Sequence, residues 1–289
     1  MEWKTVGYFY TKKYIMKQTR ESCGSFLILD VFDSHVDQAD FDICFCFASE
    51  FEQKYSRFIK GNYLWDLNTN KQAEMYPELF TLLTLCQKVS EMTKGYFDIT
   101  LLPLLENAGY GIHSEKMSEN VGYTNVIFSK TDITLKKGVS IDLGSLGKGF
   151  IVDKIYHFLS KKYQSFIINF GGDIRVKGKH KIMLENPDNI NQNIGNTILN
   201  NKSIASSAGN RRNFGNSHHL FDIYKKQSVE DKKSIFVQHK LASYADIFST
   251  ALFVSPIELS IQILNDIQGL EGMILVNDAQ IYKTQGFII

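Results

Sequence analysis

Between residues 141 and 149 the chain reads Ile141-Asp142-Leu143-Gly144-Ser145-Leu146-Gly147-Lys148-Gly149. This is an apolar strand end, a glycine-punctuated turn and the start of a helix. The first N–H groups of a helix have no intrahelical acceptor, and the helix dipole draws an anion to that end. Three glycines let a ligand come close to the backbone, and Lys148 supplies a point charge suited to a phosphate. The segment is not a P-loop, because the spacing before Lys148 is wrong and no Ser or Thr follows it. Read alone, the glycines serve equally well to permit a tight turn.

Four more segments carry groups that could do chemistry. Asn169-Phe170-Gly171-Gly172-Asp173 ends an apolar strand with two glycines and a carboxylate, and a β-turn is its plainest reading. In Ala245-Asp246-Ile247-Phe248-Ser249-Thr250, helical spacing puts Asp246 and Thr250 on one face. Their hard oxygens suit Mg²⁺; the alternative is a capping aspartate and a threonine that faces solvent. Gly95-Tyr96-Phe97-Asp98-Ile99-Thr100 sets two aromatics before an acid, able to frame a flat ring or to fill core. His218-His219-Leu220-Phe221-Asp222 offers a histidine for proton transfer near neutral pH, or a polar surface loop.

These groups need a scaffold, and the chain has the means to build one. It has 289 residues, 44% hydrophobic and 22% charged, enough to bury a core. A net charge of +1 and a pI near 7.6 exclude the basic surplus of a typical nucleic-acid binder. No apolar run approaches the roughly 20 residues that cross a bilayer. The opening stretch lacks the apolar segment of a secretion signal. A cytoplasmic protein is expected, or a membrane-associated or extracytoplasmic one if a signal has been removed. Cys44-Phe45-Cys46 does not have zinc-knuckle spacing. It is expected to put two small buried thiols on one face of a strand.

The pattern predicts strands over Ser25–Val31 and Ser165–Phe170, a helix or a helix with a preceding strand within Ala39–Phe58, and helices from Pro77 onward and over Leu146–Tyr163, Tyr244–Val254 and Ile257–Gln268. Ile133–Ile141 is expected to be a hairpin turning at Lys137-Gly138. Met273–Val276 and Gln280–Lys283 are expected to close a second hairpin around Asn277-Asp278. The asparagine-rich stretch Asn186–Asn201 is read as a loop or excursion. Strands and helices mix without strict alternation. This predicts an α+β architecture, a single compact mixed domain over residues 1–289 with two lobes as a variant.

Taken together and in order, these segments resemble the ApbE-like FAD:protein FMN transferase family along almost the whole chain. Asp142-Leu143-Gly144-Ser145-Leu146-Gly147-Lys148-Gly149…Asp153 is close to the family's D-L-G-G-x-x-K-G-x-x-x-D signature. Gly95-Tyr96-Phe97-Asp98-Ile99-Thr100-Leu101-Leu102-Pro103-Leu104 is similar to its FD-T-x-x-P-L element. Asn169…Gly171-Gly172-Asp173-Ile174 matches N-x-G-G-D-[IL], and Ala245-Asp246…Ser249-Thr250-Ala251 matches A-D-x-x-S-T-A. Glu52…Ser56-Arg57-Phe58…Asn68 looks like its acid–serine–aromatic–asparagine stretch. Ser203-Ile204-Ala205-Ser206-Ser207 stands for its A-[TS]-S-G turn, and Cys23-Gly24-Ser25 replaces Met-Gly-Thr.

The resemblance implies an α+β fold with FAD in a cleft and a divalent metal, Mg²⁺ or Mn²⁺, between protein and pyrophosphate. It implies Asp246 and Thr250 as side-chain ligands and Ser145 through its carbonyl. Tyr96, Phe97 and Asp98 would line the adenosine end. Asp142 and Lys148 would contact FAD, with Phe58, Asn68, Gly172 and Asp173 in the same binding set. His219 and Leu220 would border the reacting phosphate, and His219, Asp246 and Lys148 would form the catalytic group. The partner implied is an acceptor flavoprotein with a Thr or Ser flavinylation site, such as a subunit of a membrane redox complex. Two other readings use the same residues: an FAD pyrophosphatase and a non-catalytic FAD-binding protein. One loop departs from the family. Where it has H-x-x-[DN]-P-x-[ST]-G, His219-Leu220-Phe221-Asp222 runs into Ile223-Tyr224-Lys225-Lys226, without the proline and the glycine.

Overall fold

Phe166, Ile168 and Phe170 alternate with Ile167 along one strand and send their side chains to opposite faces of a sheet, as the two-residue period of a strand requires. The computed structural model describes residues 16–110, 120–211, 213–215, 217–277 and 280–289. The strands are β1 Met16–Ser22, β2 Ser25–Val31, β3 Gln72–Glu74, β4 Val126–Phe128, β5 Asp132–Leu135, β6 Phe166–Phe170, β7 Asp173–Lys177, β8 Lys179–Asn186, β9 Asn189–Asn200 and β10 Ser203–Ala208. They continue with the two-residue ladders β11 Asn213–Phe214, β12 Ser217–His218, β13 Phe221–Asp222 and β14 Gln227–Ser228, then β15 Lys232–His239, β16 Glu271–Val276 and β17 Ile281–Lys283. The helices are α1 Gln38–Tyr55, α2 Tyr63–Asn70, α3 Pro77–Met92, α4 Leu102–Asn107, α5 Gly147–Leu159, α6 Ala242–Val254 and α7 Ile257–Asp266.

The main sheet has eight strands in the order β1-β2-β6-β7-β10-β15-β16-β17. Every neighbouring pair is antiparallel. Helices gather on one face. There Phe41, Cys44, Phe45 and Ala48 of α1 and Ile151, Val152, Ile155 and Leu159 of α5 pack against Leu27, Leu29, Val31, Phe166, Ile168 and Phe170. α3 and α6 pack with Ile235, Val237 and Ile274 in a second cluster. This is the α+β architecture the sequence predicts, with helices segregated on an antiparallel sheet.

Three expectations are corrected. The asparagine-rich stretch is not a loop: with β8 it forms a long hairpin that turns at Pro187-Asp188. Its Ile182, Leu184 and Leu199 cover Ile167, Ile174, Val176 and Phe236 on the sheet's other face, while its asparagines point mainly outward. Composition hid a half-buried strand whose polar face is made of asparagine. Cys44 and Cys46 lie on α1 and not on a strand, so they diverge: Cys44 is buried and Cys46 exposed. Finally, Lys137-Gly138 does turn the chain, with Gly138 at φ +82°, but no return strand follows. Ile141 instead pairs with a side chain: its N–H donates to Asn68 Oδ1 at 2.8 Å and its carbonyl accepts from Asn68 Nδ2 at 2.9 Å. The last hairpin forms as expected between β16 and β17; Asp278 of its turn lies outside the described residues.

Candidate functional site

The helices α5 and α6 meet through a glycine. A side chain at Gly149 would place its Cβ 2.5 Å from the Ala242 carbonyl oxygen and 2.7 Å from Asp246 Cβ, so only glycine allows this approach. The Gly149 N–H donates to Asp246 Oδ2 at 2.9 Å. Gly149 is the third residue of α5, so its N–H has no acceptor within the helix. The carboxylate takes it, and Ser145 lies in the turn that opens the helix.

The exchange is reciprocal. Asp153 of α5 accepts the N–H groups of Ala242 (2.7 Å) and Ser243 (2.9 Å) and the Ser243 hydroxyl (2.6 Å), which caps the start of α6. Arg175 forms an ion pair with Asp153 and lies over the Tyr156 ring. Each helix thus receives at its N-terminal end a carboxylate from the other, where the helix dipoles favour negative charge.

Around this junction the predicted groups converge. Lys148, one residue before the glycine, forms an ion pair with Asp173 at the end of the Gly171-Gly172 turn. The stem of Lys148 lies 3.6 Å from where a Cβ on Gly171 would sit, so the two glycine turns share one corner. Gly171 and Gly172 take φ of +61° and +101°, which favours glycine. Thr250, one helical turn beyond Asp246, has its hydroxyl 3.4 Å from that of Ser207, which also pairs with Ser249 at 2.9 Å.

A second wall adjoins the first through Asp142. Its N–H donates to the Ile99 carbonyl at 2.9 Å, and its Oδ1 accepts from the Gly144 N–H at 3.0 Å. Arg57 reaches Asp142 through Nε at 3.4 Å and Glu106 through Nη1 at 3.0 Å, and both Arg57 and Glu106 are buried. Its guanidinium lies 4.2 Å from the Phe58 ring centroid and 5.2 Å from that of Tyr110. The Tyr110 ring is 6.1 Å from His219 and 5.2 Å from Phe214. A buried guanidinium paired with two carboxylates fixes the orientation of both. Sequence alone assigns Arg57 no role, because its partners Glu106 and Asp142 lie far along the chain.

Other predicted residues are placed deeper. Asp98 accepts from the Thr100 N–H (2.8 Å), the Thr100 hydroxyl (2.7 Å) and the Tyr123 N–H (2.6 Å), locking two loops together. Burial pushes its carboxyl above the ordinary carboxylate range, against hydrogen bonds that favour the anion. Phe97 and Leu220 are buried in the α3–α6 cluster. Asn68 spends its amide on Ile141. Phe58 is 57% exposed and Tyr96 half-buried.

The two histidines differ. His218 Nδ1 accepts from the Leu220 N–H at 3.2 Å, so the ring proton sits on Nε2, which donates to the Val229 carbonyl at 2.9 Å. Burial holds its pKa below the usual histidine value. With both nitrogens committed to backbone, His218 is structural. His219 is the member of the pair that turns toward Tyr110 and the Arg57 wall.

Among the described residues no three His, Cys, Asp or Glu side chains cluster as a metal site. The donors that the resemblance implies, the Asp246 carboxylate, the Thr250 hydroxyl and the Ser145 carbonyl, come from α6 and from the turn before α5. That oxygen set fits a hard cation that retains waters and binds substrate phosphates, as Mg²⁺ does. A thiolate or histidine site for zinc is not present there.

The ApbE family model matches residues 34–274, which spans both walls. The chain belongs to the ApbE family. An FAD:protein FMN transferase of Haemophilus influenzae is 26% identical over 247 residues, covering 75% of this chain and 70% of that protein. One of Buchnera aphidicola subsp. Schizaphis graminum is 29% identical over 211 residues, covering 64% of this chain and 60% of the relative. Among solved structures, the ApbE protein of Thermotoga maritima superposes with TM-score 0.85 at 22% identity, covering 94% of this chain and 97% of that one. The flavin transferase ApbE of Vibrio cholerae gives 0.81 at 18% identity over 94% and 97%. At these identities the likeness establishes that the ApbE fold is shared.

Proposed function

We propose that this chain transfers FMN from FAD to a Thr or Ser hydroxyl of an acceptor protein and releases AMP. The observation that carries the reading is the Gly149–Asp246 junction, which brings the Asp246 carboxylate to the start of α5, next in the chain to the cation Lys148. The names of the Haemophilus and Buchnera relatives support it. The acceptor oxygen attacks the FMN-side phosphorus, the bond to the AMP phosphate oxygen breaks, and AMP leaves with that oxygen. A divalent ion held by Asp246, Thr250 and the Ser145 carbonyl would neutralise pyrophosphate charge as a Lewis acid. Lys148 adds positive charge on the phosphates, and Arg57 holds Asp142 in place at the ligand wall. His219 takes the proton of the attacking hydroxyl. Because charge gathers on phosphoryl oxygens, positioning and electrostatics supply most of the rate. The partner is an acceptor flavoprotein, with subunits of membrane redox complexes as the first to test. Among the described residues of this chain no helix is long and apolar enough to cross a membrane.

The test is incubation with FAD, Mg²⁺ and candidate acceptors, followed by denaturation, mass spectrometry of the acceptor and quantification of AMP. Flavin retained on the acceptor in step with AMP supports transfer. AMP without attached flavin means hydrolysis, and FAD binding without AMP means a binding protein. Lys148→Ala is expected to weaken FAD binding about tenfold, the scale of one charge-assisted contact. A fluorescence titration that superposes on the parent's would remove Lys148 from the site.

A further inference from the structure

The loop after His219 lacks the family's proline and glycine, yet it is well built. Asp222 Oδ1 accepts from the Tyr224 N–H at 2.9 Å and the Lys225 N–H at 3.0 Å. The Asp222 carbonyl accepts from Lys226 N–H at 2.8 Å, and Lys226 takes φ +53°. An aspartate turn and one left-handed lysine therefore close the β13–β14 hairpin by local chemistry. The construction aims Tyr224 across to the segment that begins with Lys94.

There the fit is close. The Tyr224 hydroxyl donates to the Lys94 carbonyl at 2.6 Å. Its ring stands edge-on to Tyr96, with centroids 4.8 Å apart at 71°. Gly95 lies beneath at φ +83°, and a Cβ there would sit 2.9 Å from the Tyr224 oxygen. Yet Tyr224 remains 62% exposed. A tyrosine anchored at its hydroxyl and at one edge, with the rest of its ring open to solvent, is a rigid aromatic face. It lies between two stretches that reach the site. Ile99, three residues after Tyr96, holds the Asp142 N–H, and His219 precedes Tyr224 by five residues, just before the hairpin begins at Phe221.

We infer that Tyr224, held by Lys94 and Tyr96, is a specificity-determining residue of this chain that stacks on a planar heteroaromatic ring of the bound dinucleotide. The inference rests on the FAD reading above. The shared chemistry is a flat heteroaromatic ring at one end of the dinucleotide; adenine and isoalloxazine both qualify, and the experiment separates them.

The parent, Tyr224→Phe and Tyr224→Ala are titrated with FAD, AMP and FMN in the presence of Mg²⁺, with thermal melting as the control for folding. Tyr224→Ala should bind FAD about tenfold more weakly, the scale of one base–aromatic stack. The same loss should appear for AMP alone or for FMN alone, whichever carries the stacked ring. Tyr224→Phe keeps the ring, loses its anchor and should fall between parent and Tyr224→Ala. Unchanged FAD affinity in Tyr224→Ala overturns the inference and leaves the transferase reading standing. So does an equal loss for AMP and FMN, or a loss that tracks a lowered melting point. If the parent itself does not bind FAD, the transferase reading fails first and the assignment of Tyr224 falls with it.

Discussion

Asp246→Asn should release AMP from FAD on the order of a hundredfold more slowly than the parent, with its melting midpoint almost unmoved. The magnitude is that of losing one well-placed electrostatic partner in a phosphoryl or acyl transfer. The substitution is chosen because Asp246 serves two purposes. Its carboxylate is the one acid in the proposed oxygen set, and its Oδ2 accepts the buried Gly149 N–H. An asparagine can present its amide oxygen to that N–H and keep the helix junction intact, while it removes the negative charge that would anchor a cation. Alanine confounds the two effects, since a buried N–H left without an acceptor costs about 1–3 kcal/mol. The measurement is AMP release against Mg²⁺ concentration, beside a melt of the same sample. Turnover equal to the parent's at every Mg²⁺ concentration would remove Asp246 from the reaction.

Gly149→Ala should do the reverse, damaging the scaffold first and the chemistry as a consequence. The added carbon would meet the Ala242 carbonyl at 2.5 Å and Asp246 Cβ at 2.7 Å. Two of those neighbours are backbone and near-backbone atoms of a buried helix, so relief requires α5 and α6 to part. Overpacking of this kind costs about 1–3 kcal/mol, and we expect the upper end because the clash is with main chain. The same parting moves Asp246 and Thr250 away from Lys148. Chemical denaturation should show a lower midpoint with an unchanged slope, and FAD cleavage should fall with it. A variant as stable and as active as the parent would mean that the glycine contact does not set the site.

Much of this arrangement could be read from the chain itself, for an identifiable reason. α5, α6 and the strand ending at Phe170 each combine a periodic apolar stripe with a glycine or acid at its end. Such local signals survive in sequence. Arg57 did not declare itself because its meaning depends on Glu106 and Asp142, distant partners that the fold brings together. The resemblance puts Asn68 in the binding set, and no spacing rule anticipates that its amide holds the backbone of Ile141. The β8–β9 hairpin was hidden by its asparagines, which are turn formers by propensity and here merely face water from a strand. Cys44 and Cys46 were misplaced because two residues apart reads as one face only if the element is a strand.

The crossed carboxylates of α5 and α6 bear on how the protein breathes. Neither helix can satisfy its own first amides: Gly149 depends on Asp246, and Ala242 and Ser243 depend on Asp153. Parting the two helices therefore strips all three amides of their acceptors at once. The three amides should trade their protons for deuterium at one common, slow rate set by a single opening event, where independent helix ends would exchange quickly and separately.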